Sequence, residues 1–273
     1  MERPVVTLLT DFGPDGPAAI CRGVILTIAR DAQIVDIGHN VRKFAIGDGA
    51  FLLWCAVPYL PVGVHVAVVD PGVGTDRLAI AILSERGDAL VGPDNGLLIP
   101  AAERLGGIRE ARALENRDLW LASATSSTFH GRDIFAPVGA HLATGRPFAD
   151  VGPIVPAETL VRLPWPSASA HDGELDTAIR YIDSFGNCRL AGLPSDLEQA
   201  MGTLESGRRF RLWAGEGAPL IVTWQRTFGE TPPGATLLYE DSFGTLSLAD
   251  NQANIAERLG LEVGRPVRIQ SAA

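Results

Sequence analysis

The sequence predicts an α/β N-terminal domain, with a mainly parallel sheet covered by helices, followed by a smaller C-terminal β-barrel domain. Three observations lead to this fold class. The chain has 273 residues, 46 % of them apolar, which is enough for two ordinary domains with their own cores. Strand-like and helix-like segments alternate through the first part, which indicates a parallel sheet. Beyond residue 175 short strands separated by turns dominate, as in a small barrel.

The predicted N-terminal domain covers residues 1–165 and alternates in hydrophobic period. It opens with the apolar strand VVTLLT, the segment AAICRGVILTIAR with apolar residues at helical spacing, and the strand QIVDIG. A predicted helix, GDGAFLLWCAVPYL, comes next, followed by the strands VHVAVVD, LAIAIL and ALVGPD and the helices AAERLGG and DIFAPVGAHLATG. Ligands of parallel sheets bind at the carboxyl ends of strands. Asp11, Asp70 and Asp94 lie where three of these strands end.

The predicted C-terminal domain covers residues 166–273 and follows a segment rich in Pro, Ser and Ala between residues 151 and 175. Its predicted strands lie in TAIRYID, FGN, RRFRLWAG, PLIVTWQ, ATLLYED, GTLSLAD and PVRIQ, and its helices in DLEQAM and NQANIAERLG. YIDSFGN and YEDSFGT both place Asp-Ser-Phe-Gly after a strand. Because Asp, Ser and Gly favour turns, the repeat predicts two similar turns.

Charge and composition argue against several kinds of partner. The formal net charge of −9 opposes binding to nucleic acid or to an anionic membrane, since both require clustered Lys and Arg. The three cysteines lack CxxC spacing, so we expect neither disulfides nor a thiolate metal site. The N-terminus has no basic segment followed by an apolar h-region, and the apolar stretch AFLLWCAVPYL is too short to span a bilayer. We therefore expect a cytoplasmic protein.

Several common catalytic motifs are missing from the sequence. It contains no GxGxxG, Walker loop, HExxH or GxSxG motif, which disfavours nicotinamide-dependent dehydrogenases, NTPases, zincins and α/β-hydrolases. The five histidines show no metal-ligand spacing relative to one another or to the cysteines. We therefore do not expect a metal enzyme.

Polar residues on predicted loops remain as candidates for catalysis. VVDPGVGTDR places Asp70 and Arg77 around a Gly-rich turn, and TFHGRDIF places His130 just before a helix. LLTDFG carries Asp11, and VGPDNGLL carries Asn95. Each has a purely structural alternative, because such residues also form turns, cap helices or make surface ion pairs.

If these loops converge, their chemistry is restricted. An acid, an arginine and a histidine without a Ser or Cys nucleophile suit the activation of water rather than covalent catalysis. Arg77 stays protonated and would hold and polarise the oxygen. Either Asp70 or His130 would receive the proton, and the sequence leaves both possibilities open.

Five motifs in a fixed order resemble one family. TDFG, VVDPGVGT followed by Arg, PDNGLL, TFHGRDIFAPVGAHLA and YIDSFGN together resemble the S-adenosyl-L-methionine (SAM) hydrolases, also called SAM hydroxide adenosyltransferases. The resemblance covers residue 7 to about residue 260. It implies a homotrimer that binds SAM at subunit interfaces. It also implies hydrolysis to adenosine and methionine by in-line attack at the ribose C5′ atom.

The resemblance assigns roles to individual residues. The catalytic triad of the family falls on Asp70, Arg77 and His130. The resemblance implies that Asp11 binds the ribose hydroxyls, Asp183 the methionine ammonium group and Asn187 the adenine. The further substrate contacts that it implies are Asn95, Gly131, Phe185, Ser242 and Phe243. SAM is then the substrate, and no cofactor is needed.

Two other functions stay open at this point. The related SAM-dependent fluorinase and chlorinase carry Tyr where this chain has Asp70, and the fluorinase has Ser where this chain has Gly131. A carboxylate at position 70 would repel a halide and favour water. The second alternative is a SAM- or adenosine-binding sensor without turnover, which would have no need of the triad.

Overall fold

The computed structural model describes residues 3–121 and 126–272. The chain forms two compact units, Met1–Leu163 and Pro164–Ala273. In the described part of the chain, no helix is both long enough and apolar enough to cross a membrane.

In the part of the first unit that the structure describes, six strands form a mixed sheet in the order β2-β1-β3-β5-β4-β6. Its strands are β1 Val5–Thr10, β2 Gln33–Gly38, β3 Val64–Val68, β4 Ala79–Ser84, β5 Ala89–Pro93 and β6 Ile108–Ala113. Strand β1 is parallel to β2 and β3, and β3 is parallel to β5. Strand β4 runs antiparallel to β5 and β6. The predicted mainly parallel sheet is thus confirmed.

The described residues of this unit form four α-helices: α1 Pro17–Ile28, α2 Ile46–Ala56, α3 Ile99–Arg104 and α4 Ala136–Ala143. The helix predicted over GDGAFLLWCAVPYL gives way at Ala56 to a 3₁₀ turn, Val57–Tyr59. Proline explains this end, since Pro58 lacks the N–H that would continue the α-helical bonding. Helices α1 and α4 pack on the buried side chains of β1 and β3.

The second unit is a closed barrel of seven strands, because the row β14-β10-β11-β12-β13-β9-β8 ends in a β14–β8 pairing. Its strands are β7 Ser169–His171, β8 Glu174–Ile182, β9 Cys188–Leu190, β10 Arg209–Trp213, β11 Leu220–Trp224, β12 Thr236–Glu240, β13 Leu246–Asp250 and β14 Pro266–Ser271. Strand β7 extends the sheet beside β8. The unit also has helices α5 Pro194–Met201 and α6 Ile255–Leu259. The predicted barrel is confirmed.

The barrel interior is filled by alternate residues of its strands. On β8, Leu175 and Ile179 are fully buried, and on β9 Cys188 and Leu190 are fully buried while the residue between them faces outward. This alternation follows from the strand geometry, in which successive side chains point to opposite faces. The outward positions are therefore the ones available to a ligand.

Candidate active site

Three predicted site residues follow neighbouring parallel strands of the first unit. Asp11 follows β1, Asp70 follows β3 and Asn95 follows β5, and these strands are adjacent in the sheet. Because parallel strands end at the same edge, the three residues lie at one edge of the sheet.

Asp70, Arg77 and His130 form one hydrogen-bonded group. Arg77 Nε donates to both carboxylate oxygens of Asp70, at 3.0 and 3.1 Å, and Arg77 Nη2 donates to Asp70 Oδ2 at 2.6 Å. The same Nη2 lies 2.8 Å from His130 Nδ1. The side chains of Arg77 and Asp70 are only 11 % and 5 % exposed. Arg77 thus bridges the acid and the histidine in a largely water-excluded setting.

The turn between Asp70 and Arg77 positions this group. The backbone N–H of Val73 donates to Asp70 O at 3.3 Å, and Thr75 donates to the carbonyl of Gly72 through both its N–H and its hydroxyl. Gly74 has a φ of +78°, and a Cβ at that position would lie 2.4 Å from Ser127 O. Glycine is therefore required here for its backbone conformation and for the close approach of the loop that carries His130.

His130 directly precedes a π-helical turn, Gly131–Phe135, that leads into α4. An arginine can only donate, so Nδ1 of His130 must accept the bond from Arg77, and a neutral ring then carries its hydrogen on Nε2. Burial and the neighbouring Arg77 charge lower the pKa of His130 below its ordinary value. Both effects favour the neutral imidazole.

Gly131 packs beneath two aromatic rings. Phe12 and Phe129 form an edge-to-face pair with ring centroids 5.6 Å apart. A Cβ on Gly131 would lie 2.9 Å from Phe12 Cζ and 3.4 Å from a carbon of the Phe129 ring. The rings therefore occupy the space that a side chain at position 131 would need.

Asp11 is 9 % exposed, and its Oδ2 accepts a bond of 3.0 Å from the backbone N–H of Phe44. Phe44 has a φ of +64° and a ring that is 70 % exposed. A left-handed backbone is uncommon for a bulky residue, and such strain occurs preferentially at functional sites. The Asp11–Phe44 contact is thus a second feature of interest in the first unit.

Asn95 binds the backbone with both ends of its amide. Its Nδ2 donates to Val69 O at 2.9 Å, and its Oδ1 accepts from the N–H of Leu97 at 3.2 Å. These bonds link the end of β5 to the end of β3. They give Asn95 a structural role, and its predicted contact with substrate stays a prediction.

The two Asp-Ser-Phe-Gly segments of the barrel form the same turn. Asp183 Oδ1 accepts from the N–H groups of Phe185 and Asn187 at 2.9 and 3.0 Å. Asp241 Oδ1 accepts from the N–H of Phe243 at 2.9 Å and from that of Thr245 at 3.0 Å. Asp183 Oδ2 also accepts from Asn187 Nδ2 at 3.1 Å. The prediction of two similar turns is confirmed.

Two of the predicted binding residues of the barrel border a cavity of about 540 Å³. Phe185, which is 76 % exposed, and Asn187 line it together with Phe228, Asp250, Gln252 and Ala253. Asp250 is 2 % exposed and accepts bonds from Arg258, so its charge is neutralised within the barrel. Ser242 is exposed on the second turn.

A second group with the same three residue types lies at the opposite end of β3. Arg86 donates to the carboxylate of Asp88 at 2.7 and 2.8 Å, and His65 Nε2 lies 3.0 Å from Asp88 Oδ1. His65 and Asp88 are fully buried. Burial alone would raise the pKa of Asp88, but hydrogen bonds from Arg86 and His65 hold that pKa well below its usual range. We assign this group a structural role.

Two observations concern the other reactive side chains of the described residues. Within residues 3–121 and 126–272, no cluster of three or more His, Cys, Asp or Glu side chains could hold a metal ion. Burial raises the pKa of the Cys21 and Cys188 thiols to about 12, so neither is an activated nucleophile.

Sequence reasoning missed the aromatic residues of the first unit. Phe12 and Phe129 stand inside TDFG and TFHG, the motifs that supplied Asp11 and His130, so proximity to those motifs was an available signal. Phe44 had no such signal, because its left-handed backbone cannot be inferred from its residue type.

Comparisons with known proteins agree over both units. Residues 6–152 match the model of the SAM hydroxide adenosyltransferase N-terminal domain, and residues 177–268 match that of the C-terminal domain. A solved structure described as an uncharacterised conserved protein from Thermotoga maritima is similar with a TM-score of 0.91 and 31 % identity. The match covers 97 % of this chain and 99 % of that one.

Curated relatives are similar over nearly the full length. The (R)-S-adenosyl-L-methionine hydrolase of Salinispora tropica is 44 % identical over 267 residues, 97 % of each chain. The protein of the same name from Thermus thermophilus is 39 % identical over 274 residues, covering 98 % of this chain and 99 % of the relative. The fluorinase of Actinopolyspora mzabensis is 26 % identical over 295 residues, covering 98 % and 97 %.

Proposed function

Since the chain belongs to the SAM hydroxide adenosyltransferase family, we propose that it hydrolyses SAM to adenosine and L-methionine. The observation that carries the proposal is the contact among Asp70, Arg77 and His130 at the carboxyl edge of the sheet. Water attacks the ribose C5′ atom, the C5′–S bond breaks with its electron pair moving to sulfur, and one proton is released.

The leaving group explains why the catalytic groups concentrate on the nucleophile. A sulfonium departs as a neutral thioether, so no acid is required to protonate it. The requirement is an oriented oxygen in line with the C–S bond, protected from bulk water. Asp70 and Arg77, with their small exposed fractions, suit that task.

We assign the proton of the attacking water to Asp70. His130 Nδ1 already accepts from Arg77, and its Nε2 carries hydrogen in the neutral ring, so the imidazole has no lone pair to offer. The carboxylate of Asp70 has about four lone-pair directions, and Arg77 does not occupy them all. His130 Nε2–H then serves as a donor to the reacting oxygen.

The substrate contacts follow the family pattern. In the first unit, Asp11 binds the ribose hydroxyls through the oxygen that Phe44 does not occupy, and Gly131 and Asn95 border the substrate. In the second unit, Asp183 binds the methionine ammonium group. Asn187 and Phe185 bind the adenine, and Ser242 and Phe243 contact the methionine and base. Each assignment is open to single-residue tests.

Three further parts of the proposal concern cofactor, assembly and location. The reaction proceeds without a metal, so activity persists after exhaustive chelation. The protein forms a homotrimer, which light scattering coupled to gel filtration measures directly. It acts in the cytoplasm, which fractionation of cells followed by immunoblotting of the protein tests.

The deciding experiment incubates purified protein with each sulfonium epimer of SAM in H₂¹⁸O and identifies the products by mass spectrometry. The proposal expects methionine and adenosine that carries one ¹⁸O atom in its 5′-hydroxyl group. The same incubation with added fluoride or chloride tests the halogenase alternative. Halogenated adenosine as the main product would refute hydrolysis, and bound but unchanged SAM would favour a sensor.

A further inference from the structure

A row of polar and aromatic side chains crosses four neighbouring strands on the outer face of the barrel. Strand pairing sets Tyr181 on β8 beside Arg189 on β9, Arg189 beside Ser247 on β13, and Ser247 beside Tyr239 on β12. Arg189 faces outward because its neighbours on β9 fill the barrel core. Its side chain is nevertheless only 16 % exposed.

Arg189 stands between the acids of the two Asp-Ser-Phe-Gly turns. Its Nε lies 3.3 Å from Asp241 Oδ2, and its Nη2 lies 4.0 Å from Asp183 Oδ2. The Asp241 carboxylate is 4 % exposed and also accepts bonds from the Thr245 and Ser247 hydroxyls, so it fixes the guanidinium from the barrel side. The distance to Asp183 exceeds a hydrogen bond.

Aromatic rings flank the guanidinium. Arg189 Cζ lies 4.6 Å from the centroid of the Phe243 ring and 5.8 Å from that of Tyr181. Cation–π contacts at these distances favour one position of the guanidinium. An arginine that is already oriented loses less entropy when it binds a carboxylate.

The row also adjoins the cavity that Asn187 lines. Asn187 Nδ2 donates to Asp183 Oδ2 at 3.1 Å, which joins the cavity wall to the Asp183–Arg189 pair. At the other end of the row, the ring of Tyr239 packs edge to face on Phe228, a second cavity residue, with centroids 5.0 Å apart. The Asp183–Arg189 pair is therefore linked to the cavity wall through Asn187.

We propose that Arg189 binds the carboxylate of the methionine moiety of SAM. The inference rests on the proposed function, in which Asp183 binds the ammonium group of the same amino acid. A carboxylate and a guanidinium side by side complement the two charges of an amino acid zwitterion. Asp183 and Asp241 together carry one more charge than Arg189, and this net negative charge favours binding of the positive sulfonium.

The test measures the binding of two thioether ligands, which lack the sulfonium group that the enzyme would cleave. S-adenosyl-L-homocysteine carries the ammonium and carboxylate groups, and its decarboxylated analogue lacks only the carboxylate. Calorimetry compares the wild type with Arg189→Gln and Arg189→Lys. The matched control is Arg268→Gln, a barrel arginine that pairs with Glu174 and Asp176 and is 55 % exposed.

One charge-assisted, two-pronged bond is worth roughly 10- to 100-fold in affinity. We expect Arg189→Gln to raise the Kd of the complete ligand by that factor and to change that of the decarboxylated ligand by less than about threefold. Arg189→Lys recovers part of the loss, because a single ammonium retains charge without the planar fork. Arg268→Gln leaves both affinities unchanged.

If Arg189→Gln lost the same affinity for both ligands, the assignment would be overturned, because Arg189 would then only stabilise the two Asp-Ser-Phe-Gly turns. Unchanged affinity for the complete ligand would overturn it as well. Failure of the proposed function is separate, because absent SAM turnover by the wild type leaves these affinities readable. A wild type that binds neither ligand would overturn the assignment of Arg189, whereas turnover of SAM itself decides the proposed function.

Discussion

Replacing Asp70 with Asn removes one negative charge and keeps the shape of the side chain. Two donors of Arg77 make three contacts with this carboxylate, at 2.6 to 3.1 Å, in a site where neither side chain exceeds 11 % exposure. Removing one partner of such a buried pair costs about 3–5 kcal/mol of folding stability. The loss of the base at the reacting oxygen lowers kcat by about 10³-fold, or roughly 4 kcal/mol at 1.36 kcal/mol per tenfold.

The assay combines urea unfolding with initial rates of adenosine formation. Asp88→Asn supplies a matched control, because Asp88 has the same kind of partners, Arg86 and His65, at the other end of β3. This control loses comparable stability, about 3–5 kcal/mol, but keeps kcat per folded molecule within about threefold. Asp70→Asn with more than a tenth of wild-type kcat, or a kcat loss in Asp88→Asn equal to that in Asp70→Asn, would refute the reasoning.

Three other perturbations follow from the same geometry. Gly74→Ala places a Cβ 2.4 Å from the carbonyl oxygen of Ser127, in the loop before His130, so we expect both kcat and the melting temperature to fall. Gly145→Ala is the control: Gly145 also has a positive φ, +90°, but has open space around it, so this variant lowers the melting temperature and leaves kcat unchanged. Asp11→Ala raises the Kd of S-adenosyl-L-homocysteine by about tenfold or more, measured by calorimetry, and an unaltered Kd removes its ribose role. Because burial and the Arg77 charge lower the pKa of His130, kcat holds at neutral pH and falls only in acid, where Nδ1 gains a proton and loses the Arg77 bond. A fall in kcat toward acid that already begins above about pH 7 would contradict this expectation.

The sequence predicted the fold class because hydrophobic period carries most of that information. Alternating strand and helix patterns indicated the parallel sheet, and the acids at strand ends indicated its functional edge. The direction of β4 was not specified by its apolar residues. The short turn after Ser84 reverses the chain there, with Gly87 at φ +102°, and so makes β4 antiparallel to β5.

The three residues of the candidate triad could be predicted from two polar loops and from the family motif, but their bridged arrangement could not. Its bridging geometry depends on how two loops meet, which requires Gly74 against Ser127, a contact across 53 residues of sequence. The row that contains Arg189 depends on the register of β8, β9, β12 and β13. A register shift by one residue would turn Arg189 into the core, so periodicity within one strand cannot define that row.

The charges of the triad bear on the choice between water and a halide. Asp70 and Arg77 neutralise one another across contacts as short as 2.6 Å, and His130 is held as a neutral ring. A halide placed about 3.5 Å from the carboxylate would meet a repulsion of roughly 5 kcal/mol at an effective dielectric constant of 20. The Arg77 charge only offsets that repulsion, so the group offers an anion no net attraction to replace its hydration. A neutral water avoids this cost, donates a hydrogen bond to the Asp70 carboxylate and accepts one from the His130 ring N–H, and the carboxylate can then take its proton.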